Sequence, residues 1–275
     1  MTTSAAGPRY WLGDSPPEVD HLLAQAEFLA PDAADLLDRI GVAPGASVID
    51  IGCGALGVLP QLRSRVGDSG RVTGLDIEPR LLAVAGRLSA QHGLAAETVR
   101  ADAASTGLPS GSFDLVHERM LLLNVTSPPD VVAEMTRLAR PGGIVALQEP
   151  DSAAWALDPP HPAWELLLAE VNDLYPRTGR DFHTGRRIAR LLRDAGLRDV
   201  QVRVLARLTA PGEYFHTFLL TLAVLMRQQI LAAGRLTPGH LDSAAAELRD
   251  HLSQPGTLTC LPTIWQAWAR KPGTD

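Results

Sequence analysis

Three aspartates close short apolar runs in the first part of the chain: Asp50 in VIDIGCG, Asp76 in VTGLDI and Asp102 in VRADA. The first is followed at once by Gly52-Cys53-Gly54-Ala55-Leu56-Gly57, a complete G-x-G-x-x-G. Two chemistries compete for that turn. The glycines alone suit a dinucleotide, whose pyrophosphate rests on backbone N–H groups at a helix start. Asp50 argues against this, because a carboxylate two residues before Gly52 repels a pyrophosphate and suits a cation. Asp76 can accept from both hydroxyls of a ribose, which fits either kind of cofactor. Asp102 can accept from an adenine amino group, with the following N–H, that of Ala103, on a ring nitrogen. Three carboxylates on successive strand ends fit one adenosine-bearing cation. A tight turn with no ligand is the plainer alternative.

A second group carries proton chemistry. His117-Glu118-Arg119 follow the run FDLV, and the imidazole has a usable pKa for base work near neutrality. Glu149 and Asp151 follow IVALQ. They suit a substrate amine, but two acids one residue apart are a weak metal signal, and no metal is expected. DLYPRTGRDFHTGRR offers Tyr175 and His183, and EYFHTFLL offers His216. Each of these has a plain structural reading as a cap, a satisfied core residue or an ordinary polar loop. Trp11, beside Tyr10, can fold over a ligand or simply pack on the surface.

These residues need a scaffold, and the pattern supplies one. Ser15, Pro16 and Glu18 read as a capped helix start, with a second helix over about 33–40 ending at Gly41. From residue 46 strands and helices alternate: SVIDIG, RVTGLDI, AETVRAD, SFDLVHE and IVALQEP are strands. PRLLAVAGRLSAQHG is a helix closed by Gly93. SPPDVVAEMTRLARPGG is a helix with a Ser127 cap and a Pro-Gly-Gly stop. Such alternation predicts an α/β fold with a mainly parallel sheet covered on both faces. Ligands of such sheets bind beyond the carboxyl ends of the strands, where the aspartates stand. Thr184 starts a further helix and strand. TLTCLPTIWQAWARKP reads as a last strand interrupted by Pro262.

The 275 residues are 45% hydrophobic with a net charge of −6. The balance is acidic and no basic run appears, so a nucleic-acid partner is not expected. Two cysteines far apart make no disulfide framework. FLLTLAVLM is too short to span a bilayer, and no leader is evident, so a cytoplasmic protein without a membrane partner is expected.

The stretches VIDIGCG, GLDI, ADA, FDLVHERMLLLNV and RLARPGGIVALQEPD, in this order, resemble the class I S-adenosylmethionine-dependent methyltransferases. The family pattern often has a third glycine two residues after Gly54. Leu56 stands there and Gly57 follows, which creates the accidental dinucleotide fingerprint. The resemblance implies a Rossmann-like sheet of seven strands, the last antiparallel. It implies S-adenosylmethionine as cofactor, a cation without phosphate, and S-adenosylhomocysteine as product. Asp50, Gly52, Gly54, Asp76 and Asp102 are then cofactor residues, with backbone groups of Cys53, Ile77, Ala103 and Glu118. His117 and Glu118 are the expected catalytic residues. Trp11, Glu149, Tyr175, His183 and His216 are the expected substrate residues.

The organisation expected is an N-terminal helical cap (1–40), a nucleotide-binding core (41–151) and an insertion lining the substrate side (152–183). A core helix and strand (184–208), a helical cap insertion (209–256) and a final strand with its tail (257–275) complete it. The cap segments are expected over the ligand edge. The function expected is O-, N- or C-methylation of a small, largely apolar metabolite in biosynthesis. The alternative is a cyclase or isomerase that binds the cofactor without transfer. The reading leaves room for a homo-oligomer.

Overall fold

The computed structural model describes residues 16–273. In chain order the helices and strands are α1 (Pro16–Phe28), α2 (Ala30–Ile40), β1 (Ser47–Ile51), α3 (Leu59–Val66), β2 (Arg71–Asp76), α4 (Pro79–Gln91) and β3 (Ala96–Arg100). β4 (Phe113–Arg119), α5 (Pro128–Leu138), β5 (Ala139–Asp151), β6 (Ala156–Asp158) and α6 (Pro162–Arg177) follow. Then come α7 (Ile188–Asp194), β7 (Arg198–Leu205), β8 (Leu208–Thr209), α8 (Phe218–Leu225), α9 (Arg227–Ala232), α10 (Pro238–Leu252), β9 (Leu258–Cys260) and β10 (Thr263–Arg270). The chain divides into two compact units. The first holds the described residues up to Glu149, Arg187–Arg203 and those from Gln266 onward. The second holds Pro150–Arg186 and Val204–Trp265.

A seven-stranded sheet runs β3-β2-β1-β4-β5-β10-β7. β1 pairs in parallel with β2 and β4, β2 with β3, and β4 with β5. β10 runs the other way beside β5: Gly142 N–H donates to Lys271 O and Lys271 N–H to Gly143 O, so the start of β5 meets the end of β10. Strand order reverses between β1 and β4, which puts a crevice beyond their carboxyl ends. β1 is buried on both faces at Val48, Ile49 and Ile51, as a covered parallel strand must be. Ala33 and Leu37 of α2 and Leu59, Leu62 and Val66 of α3 pack on Val48, Val72, Leu115 and Ala146. This is the core beneath the glycine turn.

In the second unit β6, β9 and β8 form a small antiparallel sheet. Trp155 lies edge-on to Trp164 and Phe182, with centroids 5.8 and 5.9 Å away, and 5.3 Å from Phe218.

Several expected boundaries move. Ser15 lies outside the described residues. The second helix begins at Ala30 and ends at a left-handed Gly41, as expected. Ser127 precedes α5 but its side chain caps nothing, and the helix gives way to strand already at Ala139. The Arg140–Gly143 stretch, with Gly142 left-handed at φ 76°, pairs with the end of β10 rather than serving only as a helix stop. The Thr184 hydroxyl donates to Asp181 O instead of capping a helix. The expected last strand is two strands in different sheets, because Pro262 lacks the N–H needed to continue a ladder.

The loop after β3 is clamped by α5. Glu134 accepts from Thr106 N–H at 2.9 Å and from Arg137 Nε at 2.7 Å, and Arg137 donates onward to Leu108 O. The Arg137 bonds, against the opposing effect of burial and with help from Thr106, hold the Glu134 carboxyl at about 2. Its folded-state pKa is depressed, so its stabilisation is full above the ordinary value of 4.5 and fades as pH falls through about 2. Glu134→Gln should therefore lower unfolding free energy at neutral pH by about 1–3 kcal/mol. Urea unfolding of both proteins should show the gap closing below the ordinary carboxylate range. A gap unchanged in acid would refute the clamp.

Candidate functional site

The glycine turn after β1 is left-handed at Gly52 (φ 73°), Gly54 (φ 56°) and Gly57 (φ 53°). A side chain at Gly52 would press on Leu121, with a Cβ 3.0 Å from its Cδ1. One at Gly57 would collide with Asp50 Oδ2 and the Cys53 carbonyl. Glycine is required at both places by φ and by space. Two tethers set the turn. Gly52 N–H and Cys53 N–H both donate to Leu75 O, at 2.7 and 2.9 Å. Gly54 N–H donates to Asp76 Oδ2 at 2.9 Å, while Asp76 Oδ1 takes Glu78 N–H at 2.9 Å. All three leading amides are thus turned inward towards β2. Across a planar trans peptide the Gly52 carbonyl points away from β2, whereas the Cys53 carbonyl lies against Gly57. An anion finds no cradle of N–H groups among these three amides.

Asp50 is buried within this arrangement. Oδ2 accepts Val58 N–H at 3.3 Å, at the start of α3, and Oδ1 lies 2.8 Å from His117 Nδ1. Gln148 Nε2 is 2.7 Å from His117 Nε2, and Gln148 Oε1 accepts from Gln266 Nε2 at 2.6 Å. Gln266 Nε2 also donates to Asp32 O of α2 at 3.1 Å. Because Gln148 presents its nitrogen to the ring, His117 Nε2 accepts and Nδ1 carries the hydrogen given to Asp50.

The opposite face of the sheet carries two acids. Side chains alternate along a strand, so Glu118 and Glu149 point away from His117 and Gln148. Glu118 accepts Gln148 N–H at 3.2 Å and Leu121 N–H at 3.1 Å. Glu149 accepts Leu122 N–H at 2.5 Å and Leu123 N–H at 3.2 Å. The two carboxyls therefore hold the adjacent amides of Leu121 and Leu122 and lie side by side. Burial pushes Glu118 from 4.5 up to about 7, and burial with the neighbouring Glu118 charge pushes Glu149 well above its ordinary value. The turn they hold includes Met120, left-handed at φ 56°, an uncommon state for a residue with a side chain.

A methyltransferase-domain family model matches residues 49–147. The ubiquinone/menaquinone biosynthesis C-methyltransferase UbiE of Bordetella parapertussis is 31% identical over 176 residues, which cover 60% of this chain and 68% of that protein. The chain belongs to the class I S-adenosylmethionine-dependent methyltransferases. Nocamycin O-methyltransferase of Saccharothrix syringae is 40% identical over 139 residues, 48% of this chain and 49% of that protein. The chain spans about half the length of the first curated relatives it matches. A methyltransferase of the same cofactor dependence from Aquifex aeolicus shares the fold, with a TM-score of 0.52 and 22% identity over 73% of this chain and 94% of that one.

Within this methyltransferase fold the expected residues separate. Asp76, Ile77, Gly52, Cys53 and Gly54 gather at the ends of β1 and β2. Asp102 is exposed two residues beyond β3. Its Oδ1 takes Ala104 N–H at 2.9 Å, and Ala103 is half-buried beside it. Burial pushes the Asp76 pKa up against its backbone bonds. Burial, then the Asp76 and Asp50 charges, push the Cys53 thiol well up, so it is an inert turn residue.

His117 and Glu118, expected as catalytic residues, and Glu149, expected as a substrate residue, are all sealed at 0% exposure. Strand side chains stand perpendicular to the sheet, so residues still inside the ladder face the covering layers and not the open edge. Asp50, expected beside a ligand ammonium, is likewise enclosed at 1%.

In the second unit Tyr175 is buried and stacks on Phe182 at 4.7 Å, so it is core. His216 is buried too, with Nδ1 3.0 Å from Thr209 O and Nε2 3.1 Å from Leu252 O. His183 keeps an exposed ring, its Nδ1 3.1 Å from Asp151 Oδ1. Burial acts to raise the Asp151 pKa, but Arg186, Ala153 N–H and His183 outweigh it and hold the carboxyl low. Trp11 lies outside the described residues. No His, Cys, Asp and Glu cluster suited to a metal occurs among the described residues.

Sequence reasoning missed Gln148, Gln266 and Leu121. A glutamine inside each of the apolar runs IVALQEP and TIWQAWAR was the available signal, since a buried amide needs a partner. Leu121 gave no signal.

His117→Ala should behave as a structural lesion, leaving the Asp50 carboxylate buried without its donor. A stability loss of about 1–3 kcal/mol in denaturant unfolding is expected. Undiminished stability would show that the Asp50–His117 bond does not set the fold.

Proposed function

We propose that this protein binds S-adenosylmethionine at the turn after β1 and transfers its methyl group to a small, largely apolar organic molecule in a biosynthetic reaction. The observation that carries the reading is the orientation of that turn. Its Gly52, Cys53 and Gly54 amides are consumed by Leu75 O and Asp76, which removes the N–H cradle a pyrophosphate needs. The Gly52 carbonyl then accepts the ligand ammonium. Asp76, already gripping Gly54 N–H and Glu78 N–H with one lone pair of each oxygen, has the others for the ribose hydroxyls. Asp102 and the Ala103 N–H take the adenine, with Ile77 packing beside it.

When bound, the cofactor supplies a methyl group already activated on a positive sulfur. What remains for the protein is orientation and exclusion of water. Asp50, His117, Glu118 and Glu149 serve as positioning residues for the two turns. The acceptor class follows the relatives. One is named for O-methylation of nocamycin and another for C-methylation in ubiquinone and menaquinone biosynthesis. A nucleic-acid acceptor finds no support in a net charge of −6.

Calorimetry should show S-adenosylhomocysteine binding and little response to NAD. Asp76→Ala should weaken that binding by about 2–4 kcal/mol, since charge-assisted bonds to the ribose are lost. Formation of S-adenosylhomocysteine should then be followed over phenols, hydroquinones and amines. Tight NAD binding with none for the homocysteine product would overturn the reading. Cofactor binding with no methyl transfer to any acceptor would favour a cyclase-like use of the fold.

A further inference from the structure

The Glu118–Glu149 pair does more than fill the underside of the sheet. Three consecutive amides, those of Leu121, Leu122 and Leu123, are captured by two carboxyls from the ends of neighbouring strands, and both side chains are sealed from solvent. The same short segment brings Leu121 against Gly52, where even a methyl group would be crowded. The Met120 N–H is fixed to Gln148 O at 2.8 Å, and Asn124 Nδ2 reaches back to Met120 O at 2.9 Å. The glycine turn therefore leans on a segment whose shape depends on the two acids. Two sealed carboxyls that hold adjacent amides lie too close together for both to stay ionised, so one proton remains on the pair.

We propose that Glu118 and Glu149 are positioning residues that share one proton, and that this proton keeps the 120–124 segment in the form that lets the glycine turn hold the amino-acid tail of the cofactor. The inference rests on the cofactor reading above. Loss of the proton leaves two buried anions side by side. They repel, the segment shifts, and Leu121 no longer seats against Gly52. The other ionisable groups bearing on the pair are Asp50 of β1, Arg119 of β4 and, through Arg119, Asp32 of α2. Asp50 adds to the repulsion and Arg119 relieves it. Affinity should accordingly fall as pH rises through the neutral range.

The test is calorimetry of S-adenosylhomocysteine with the full-length protein, wild type and Glu149→Gln, from about pH 6 to about pH 8.5. The amide introduced by Glu149→Gln keeps an oxygen for one of the two amides that Glu149 holds and an N–H for Glu118 at every pH; the other amide loses its acceptor, which lowers affinity equally across the pH range. Wild-type affinity should drop by about fivefold or more over that range, as expected for a site that binds in its protonated form. Glu149→Gln should stay within about twofold. Methylthioadenosine, which lacks the amino-acid tail, should bind the wild type with little pH dependence.

A wild type whose affinity is flat with pH, or a variant that follows the wild-type loss, would overturn the proposal while leaving the cofactor reading intact. Failure of the wild type to bind the homocysteine product at any pH would remove the cofactor reading itself. Infrared spectroscopy of the wild type gives a readout that does not depend on the variant folding. A buried protonated carboxyl band at neutral pH is expected, and its absence would equally overturn the pair.

Discussion

The Asp50 carboxylate is the joint on which the first unit depends. One oxygen closes the glycine turn onto the start of α3, and the other begins a buried polar chain through His117, Gln148 and Gln266 to the backbone of α2. The chain crosses β1, β4, β5 and β10 on one face of the sheet. A buried carboxylate must be paired, and here the pairing also sets register between strands distant in sequence. β10 is thereby placed next to β5 by side chains as well as by its backbone ladder.

The two faces of the sheet solve the burial of polar groups differently. On the α2–α3 face each donor in the chain meets an acceptor. On the other face Glu118 and Glu149 meet as like groups, and the conflict is relieved by a proton and by four backbone N–H donors. Each solution ends at one of the two turns beside the carboxyl ends of β1 and β4. The left-handed Met120 and the left-handed glycines are held from these two sides.

The resemblance of this turn to a dinucleotide fingerprint has a cause in packing. Gly57 is needed by the nearness of Asp50 and the Cys53 carbonyl, not by a phosphate. The third glycine of the pattern is thus a packing requirement of the acidic strand end. The same acid that argued against a pyrophosphate from the sequence creates the spacing that imitates its binding motif.

By itself the sequence determined the strand–helix alternation and the sheet class. Apolar strands, glycines that need φ > 0 and strand-end acids are local features with local causes. What it left open was the direction in which polar side chains point. His117, Glu118 and Glu149 carry the residue types of catalysis, yet whether such a residue faces an open edge or a covered layer depends on strand length, register and the helices packed above. The end of β4 lies a residue or two beyond His117, and the covering α2 comes from the start of the chain. Gln148 and Gln266 became partners only once β10 was inserted beside β5, across 118 positions of sequence. That pairing, like the proton between two glutamates, is a property of neighbours brought together by tertiary folding, and no local pattern records it.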